Sequence, residues 1–82
     1  MRINQLKLAI IGVGYVGLPI ALKFGQVFDT IGFDIDKFKI KNLKNKKDLN
    51  KEFTKKNFFK SKKLLFSNNL KDLKDRNVFI VC

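Results

Sequence analysis

The chain has 82 residues, a net charge of +11, and a hydrophobic fraction of 45% that includes nine Phe and no Trp. That length leaves room for one small core, and the apolar content excludes disorder along the whole chain. A single cysteine excludes an internal disulfide or a cysteine-based zinc cluster, and the longest charge-free run, residues 8–22, is shorter than the ~18 to 20 residues of a membrane-spanning helix.

In chain order, residues 6–12 (Leu-Lys-Leu-Ala-Ile-Ile-Gly) are short, apolar and β-branched toward their end, which predicts a parallel strand covered on both faces. The amino terminus, with Arg2 ahead of this apolar run, imitates a signal peptide. Gly12, Gly14 and Gly17 interrupt it and no convincing small-x-small site precedes Pro19, so a cytoplasmic protein without a membrane partner is expected. Val16, Ile20 and Phe24 recur at helical spacing with Lys23 and Gln26 toward solvent, predicting an amphipathic helix over 15–26. Pro19 falls early enough in it to be tolerated. Residues 30–34 form a second short strand, and Asp36 is placed to cap a helix over 37–46 with Ile40 and Leu43 on one face. Beyond Asn45 the periodicity weakens. A short helix over 52–59, a brief third strand at 64–66, a short helix through Leu70 and Leu73 and a clear strand at 77–82 complete the reading. Strands alternating with helices predict an α/β fold with a parallel sheet and right-handed crossovers.

The charge is concentrated rather than spread. Residues 37–63 hold twelve Lys against Asp48 and Glu52, which is ten of the eleven net positive charges. Such a stripe attracts phosphates without selectivity, but reading bases calls for Arg, aromatic platforms or a reading helix, and Arg is absent from it. A solvated lysine face is the simpler account, and no specific nucleic-acid partner is expected. A small basic nucleic-acid or anion-binding module stays open as the alternative function.

The residues that carry chemistry are Gly12-Val13-Gly14-Tyr15-Val16-Gly17, a G-x-G-x-x-G pattern that follows a predicted strand and opens a predicted helix. Asp34 ends the second predicted strand, at the spacing the same constellation requires. Gly12 allows the tight turn, Gly14 lets backbone approach a pyrophosphate, and Gly17 lets the helix pack on the strand. The helix N-terminus offers free N–H groups to phosphates, with Tyr15 and Val16 in its first turn. Asp34 can accept the adenosine ribose hydroxyls and would repel a 2′-phosphate, which favours NAD over NADP. Lys37 and Lys39 lie close enough to bear on that preference, and a flavin or NADP oxidoreductase shares the same turn. The pattern predicts an incomplete Rossmann-type parallel sheet of about four strands in the order 3-2-1-4.

From Lys7 through Pro19 the chain resembles the UDP-glucose/GDP-mannose dehydrogenase family, whose amino-terminal domain opens with a similar G-x-G-Y-V-G-L-P run. The resemblance continues at Ile31-Gly32-Phe33-Asp34-Ile35-Asp36, at Asn69-Leu70-Lys71-Asp72-Leu73 and at Val78-Phe79-Ile80-Val81. Asp48-Leu49-Asn50-Lys51-Glu52 is similar to the D-x-N-x-E of members acting on UDP-N-acetylhexosamines. The resemblance implies a twofold NAD-dependent oxidation of a nucleotide-sugar C6 alcohol to a carboxylate, through an enzyme-bound thiohemiacetal and thioester. It also implies homo-oligomeric full-length proteins. Gly12, Gly14, Tyr15, Val16, Gly17 and Asp34 then fall at cofactor-binding positions, and Lys39 at a basic position near the adenosine ribose. Residues 1–82 read as the amino-terminal part of a dinucleotide-binding domain, with substrate and catalytic domains outside them. The family's nucleophilic cysteine lies in a G-F-G-G-x-C motif that these residues do not contain, so none of them is expected to be catalytic. Cys82 reads as a small strand residue.

Overall fold

An unbroken apolar run can become a strand only where both of its faces are covered, and residues 6–12 meet that condition. In the computed structural model, which describes residues 5–82, this run forms β1, Lys7–Ile11, with Leu8, Ala9 and Ile10 buried. There follow α1 at Gly17–Phe24, β2 at Asp29–Phe33, α2 at Lys37–Lys44, α3 at Lys55–Lys60, β3 at Leu64–Ser67, a 3₁₀ turn at Leu70–Leu73 and β4 at Val78–Val81. The strands form one parallel sheet in the order β3-β2-β1-β4, the arrangement expected from the sequence. The signal-like reading of the amino terminus involves residues 1–4, which lie outside the described residues. Among the described residues no helix is long and apolar enough to cross a membrane.

Register divides the sheet into two faces. Leu8 pairs with Thr30 and Val78, and Ile10 with Gly32 and Ile80, so these side chains share one face. There Ile10 meets Leu18, Ala21 and Leu22 of α1, Ile40 and Leu43 of α2 and Phe58 of α3 in a single cluster. The other face buries Ala9, Ile31 and Phe33 but leaves Phe79 and Val81 of β4 at 52% and 79% exposure.

The helix after β1 differs from its predicted form in length and in facing. Leu18 is the first residue whose N–H reaches back, to the Gly14 carbonyl at 3.0 Å, so α1 starts at Gly17 rather than at Tyr15. It ends at Phe24, where the N–H groups of Gly25, Gln26 and Phe28 fold onto the Ala21, Lys23 and Phe24 carbonyls. Its buried face is Gly17, Leu18, Ala21 and Leu22. Val16, read as part of the apolar stripe, sits in the turn and is exposed, whereas Ile20 and Phe24 pack at the margin of the core. Small residues at 17 and 21 face the sheet because the helix approaches it closely.

The short third helix starts later than predicted, at Lys55. Thr54 and Asn57 cap it reciprocally through the Thr54 and Asn57 backbone N–H groups, and Phe58 alone of its two aromatic residues turns inward. At the opposite end of the sheet from the glycine turn, the guanidinium of Arg76 bridges Asp29 at 2.7 Å and Asp75 at 3.1 Å, joining the start of β2 to the approach to β4. Asn77 ties the same end to β1, accepting the Lys7 N–H on its side chain and donating its own N–H to the Lys7 carbonyl, both at 2.9 Å.

Candidate functional site

The site forms where β1 and β2 end side by side. Gly12 donates its N–H to the Phe33 carbonyl at 2.8 Å, which places the glycine turn next to Asp34. Gly12 has φ +94°, a conformation that side-chain-bearing residues rarely adopt, and a Cβ there would also lie 2.8 Å from the Cys82 carbonyl oxygen. At Gly17 the requirement is packing: a Cβ would fall 1.7 Å from the Gly12 carbonyl oxygen. Gly14 is different. Its φ is ordinary, and the nearest atom a Cβ would meet is the Lys39 ammonium at 4.0 Å, so nothing in the fold itself requires glycine there. What a side chain at Gly14 would occupy is the open space above the turn.

The turn itself carries unused donors. Among the described residues, the backbone N–H groups of Gly14, Tyr15, Val16 and Gly17 have no hydrogen-bond acceptor. No carboxylate sits in the first turn of α1, and no side chain caps it, so the partial positive charge of the helix start is left for a ligand. Tyr15 and Val16 flank the opening with exposed side chains. Four unpaired donors at a helix start suit a pyrophosphate.

Asp34 stands at the rim with its side chain 14% exposed. One carboxylate oxygen, Oδ1, accepts the Asp36 N–H at 3.0 Å; the other, Oδ2, accepts the Val13 N–H at 3.2 Å and the Lys39 ammonium at 3.4 Å. Burial works against its ionisation, but the two backbone donors and the charge of Lys39 outweigh it and hold the carboxyl below the usual carboxylate range. An ionised, oriented carboxylate with lone pairs still available can accept hydroxyl donors from a ribose. Asp36 acts as the cap the sequence suggested, its Oδ1 accepting the Lys39 N–H at 3.1 Å, which starts α2 so that Lys39 turns toward Asp34.

The fold therefore gathers Gly12, Gly14, Tyr15, Val16, Gly17, Asp34 and Lys39 at one end of the sheet. Cys82 lies beside them, beyond β4, with its N–H donated to the Ile11 carbonyl at 2.9 Å; its side chain is exposed rather than packed as a strand residue. Sequence reasoning missed a further wall. The loop after α2 brings Lys47 and residues 48–50 back to the glycine turn, and Asp48 fixes it by accepting the N–H groups of Asn50, Glu52 and Phe53 at 3.0, 2.9 and 3.1 Å. The signal in the sequence is the D-x-N-x-E pattern at 48–52, whose Asp48 gathers the loop. The remaining lysines of 37–63 are mostly exposed, and one of them, Lys46, rests its ammonium 4.9 Å from the centre of the Phe59 ring.

A parallel sheet in this order, a glycine turn that leaves donors free and a carboxylate at the end of β2 together define a dinucleotide-binding Rossmann domain. Comparison with known proteins sharpens the class. The profile of the UDP-glucose/GDP-mannose dehydrogenase family, NAD binding domain, matches residues 6–82, and the chain belongs to that family. It is 40% identical over 79 residues to the UDP-N-acetyl-D-glucosamine 6-dehydrogenase of Salmonella typhi, covering 96% of this chain and 19% of that protein. It is 42% identical over 75 residues to the protein CapL of Staphylococcus aureus, covering 92% of this chain and 18% of CapL. Among solved structures, the UDP-D-ManNAc dehydrogenase of Pyrococcus horikoshii superposes with a TM-score of 0.84 at 30% identity, covering 94% of this chain and 20% of that one. The chain thus spans about a fifth of the length of the relatives it matches.

Proposed function

We propose that the chain binds NAD at the glycine turn, as the cofactor-binding part of a nucleotide-sugar 6-dehydrogenase acting on a UDP-N-acetylhexosamine. The observation that carries this reading is Gly14: a glycine required by neither φ nor packing, in a turn whose N–H groups are unpaired and whose neighbour Lys39 pairs with an ionised Asp34. In it, Gly12 and Gly17 shape the turn, and the N–H groups of Gly14, Tyr15, Val16 and Gly17 hold the pyrophosphate. Asp34 accepts the adenosine ribose hydroxyls, and Lys39 orients Asp34 and adds positive charge. Bound NAD supplies a hydride acceptor; these residues hold and orient it.

The substrate class is supported by the relatives, which include UDP-N-acetyl-D-glucosamine and UDP-N-acetyl-D-mannosamine dehydrogenases, together with the D-x-N-x-E stretch. A nucleotide-sugar substrate, a nucleophilic cysteine and homo-oligomeric contacts are proposed for the whole enzyme, in the cytoplasm, with residues 1–82 as the amino-terminal part of the dinucleotide-binding domain. Isothermal titration of this chain with NAD tests the reading. Binding that weakens at least about tenfold in Asp34→Ala is expected; equal binding by both proteins would overturn the role of Asp34. With a UDP-N-acetylhexosamine and NAD the chain alone is expected to show no reduction of NAD, and clear turnover would contradict the placement of catalysis elsewhere.

A further inference from the structure

The backbone around Asp34 is anchored from both neighbouring strands. On one side Gly12 donates its N–H to the carbonyl of Phe33 at 2.8 Å; on the other the Asp34 N–H is donated to the Ser67 carbonyl at 3.2 Å. The first anchor belongs to the glycine turn. The second lies at the very end of β3, where Phe33 and Ser67 are the last pair of the register. β3 is four residues long, stands at the edge of the sheet and, among the described residues, pairs with β2 alone. Short strand ends held from one side open readily, and opening here would release the Asp34 peptide.

Ser67 closes an otherwise apolar strand, Leu64-Leu65-Phe66-Ser67, and it is buried. A buried hydroxyl is unfavourable unless it is hydrogen-bonded. This one accepts the Asn69 N–H at 2.9 Å and donates to the Asp72 carboxylate. The 3₁₀ turn that presents Asp72 is fixed in its own right: Asn69 accepts the Lys71 N–H on its side chain and the Asp72 N–H on its carbonyl, both at 3.0 Å. A hydroxyl bonded to a carboxylate is held more strongly than one bonded to a neutral acceptor. The pair therefore sets the direction in which the chain leaves β3, and with it the carbonyl that receives Asp34.

We propose that Ser67 and Asp72 are positioning residues for the dinucleotide site: their hydrogen bond locks the end of β3, so that the Ser67 carbonyl holds the Asp34 peptide, and hence the carboxylate, where the ribose meets it. This role rests on the NAD reading above and adds to it two residues that act through Asp34 alone. The glycine turn keeps its own bond to Phe33, so the phosphate half of the site does not depend on them.

Isothermal titration with NAD and with inorganic pyrophosphate tests it, together with hydrogen exchange of the Asp34 amide, on the wild-type chain, Ser67→Ala, Ser67→Thr and Asp72→Ala. Asp72 is exposed and outside the sheet, so its variant removes the same hydrogen bond without touching the core should Ser67→Ala fail to fold. Losing its negative charge would by itself favour anions, which is opposite to the expected effect. Ser67→Ala and Asp72→Ala are each expected to speed exchange at Asp34 at least about tenfold and to weaken NAD about fivefold, with pyrophosphate changed less than about twofold. Ser67→Thr, which keeps the hydroxyl, is expected to restore NAD binding. Wild-type NAD affinity in both alanine variants, or an equal loss of NAD and pyrophosphate, would overturn the proposal. NAD binding that depends on Asp34 but is indifferent to Ser67 and Asp72 sinks this role alone, whereas NAD binding indifferent to Asp34→Ala removes the ribose reading and this role with it.

Discussion

Replacing Gly14 and Gly17 by alanine, one at a time, separates what the turn does for the fold from what it does for a ligand. At Gly17 the added methyl would sit 1.7 Å from the Gly12 carbonyl oxygen and 2.8 Å from its carbon, both backbone atoms that cannot rotate away. Restoring contact distance moves α1 off β1 by more than 1 Å, roughly, and pulls Leu18, Ala21 and Leu22 out of register with Ile10. Overpacking of this kind costs about 3 kcal/mol or more, against a total stability on the order of 4 to 12 kcal/mol for a chain of this size. At Gly14 the methyl meets nothing closer than the Lys39 ammonium at 4.0 Å, so the fold should change by less than about 0.5 kcal/mol. The same methyl would stand where backbone must approach a pyrophosphate, and a loss of about 2 kcal/mol in NAD binding, near thirtyfold, is expected. Thermal unfolding followed by circular dichroism, with and without saturating NAD, reads both effects, because a ligand that binds only the folded state raises the midpoint. Gly17→Ala should unfold at lower temperature or fail to fold, and Gly14→Ala should keep the wild-type midpoint while losing the rise with NAD. A Gly14→Ala chain that gains as much from NAD as the wild type would refute the reasoning.

Three other outcomes follow from the same geometry. The pKa of Asp34 is held below its ordinary value, so its bonds to Val13, Asp36 and Lys39 stabilise the fold at all pH above about 4, and that contribution is lost as pH falls through the lowered folded-state pKa. Asp34→Asn should flatten the acid limb of a stability-against-pH curve, and an unchanged limb would show that the carboxylate contributes nothing there. Arg76→Ala removes a side chain only 5% exposed that bridges Asp29 and Asp75; because both carboxylates are exposed and stay solvated, a modest loss of about 1 kcal/mol in denaturant unfolding is expected, and a loss above about 3 kcal/mol would mean the bridge matters more than a pair with solvated carboxylates can. Phe79 and Val81 present apolar area on an edge strand, so the wild-type chain should self-associate with rising concentration in light scattering, and Phe79→Lys with Val81→Lys should reduce it; identical scattering would locate the association elsewhere.

Where structure follows from neighbours in the chain, the sequence was readable. The apolar run of β1, the glycines at 12, 14 and 17, the cap at Asp36 and the carboxylate at Asp34 each act within a few residues, and the fold assembles them as read. The facing of α1 was not readable in the same way, because Val16, Ile20 and Phe24 and the pair Leu18 and Leu22 both repeat at helical spacing. The choice was made by Gly17 and Ala21, whose small side chains let the helix lie against the sheet. In 46–60 the apolar residues are too sparse for a period, and order comes from polar groups instead: Asp48 gathering three N–H groups and the Thr54–Asn57 cap. The Arg76–Asp29 bridge joins residues 47 positions apart, a pairing that only the sheet register creates.

The central claim is that a dinucleotide sits on the N–H groups of the glycine turn with its ribose at Asp34, and amide chemical shifts of the isotope-labelled chain test it residue by residue. Titration with NAD should shift Gly12, Gly14, Tyr15, Val16, Gly17 and the Asp34 region saturably, while inorganic pyrophosphate reaches the turn but leaves Asp34 unmoved. Shifts confined to the lysines of 37–63, equal for NAD and pyrophosphate and erased by salt, would mean that the chain binds anions by charge alone and would contradict the account.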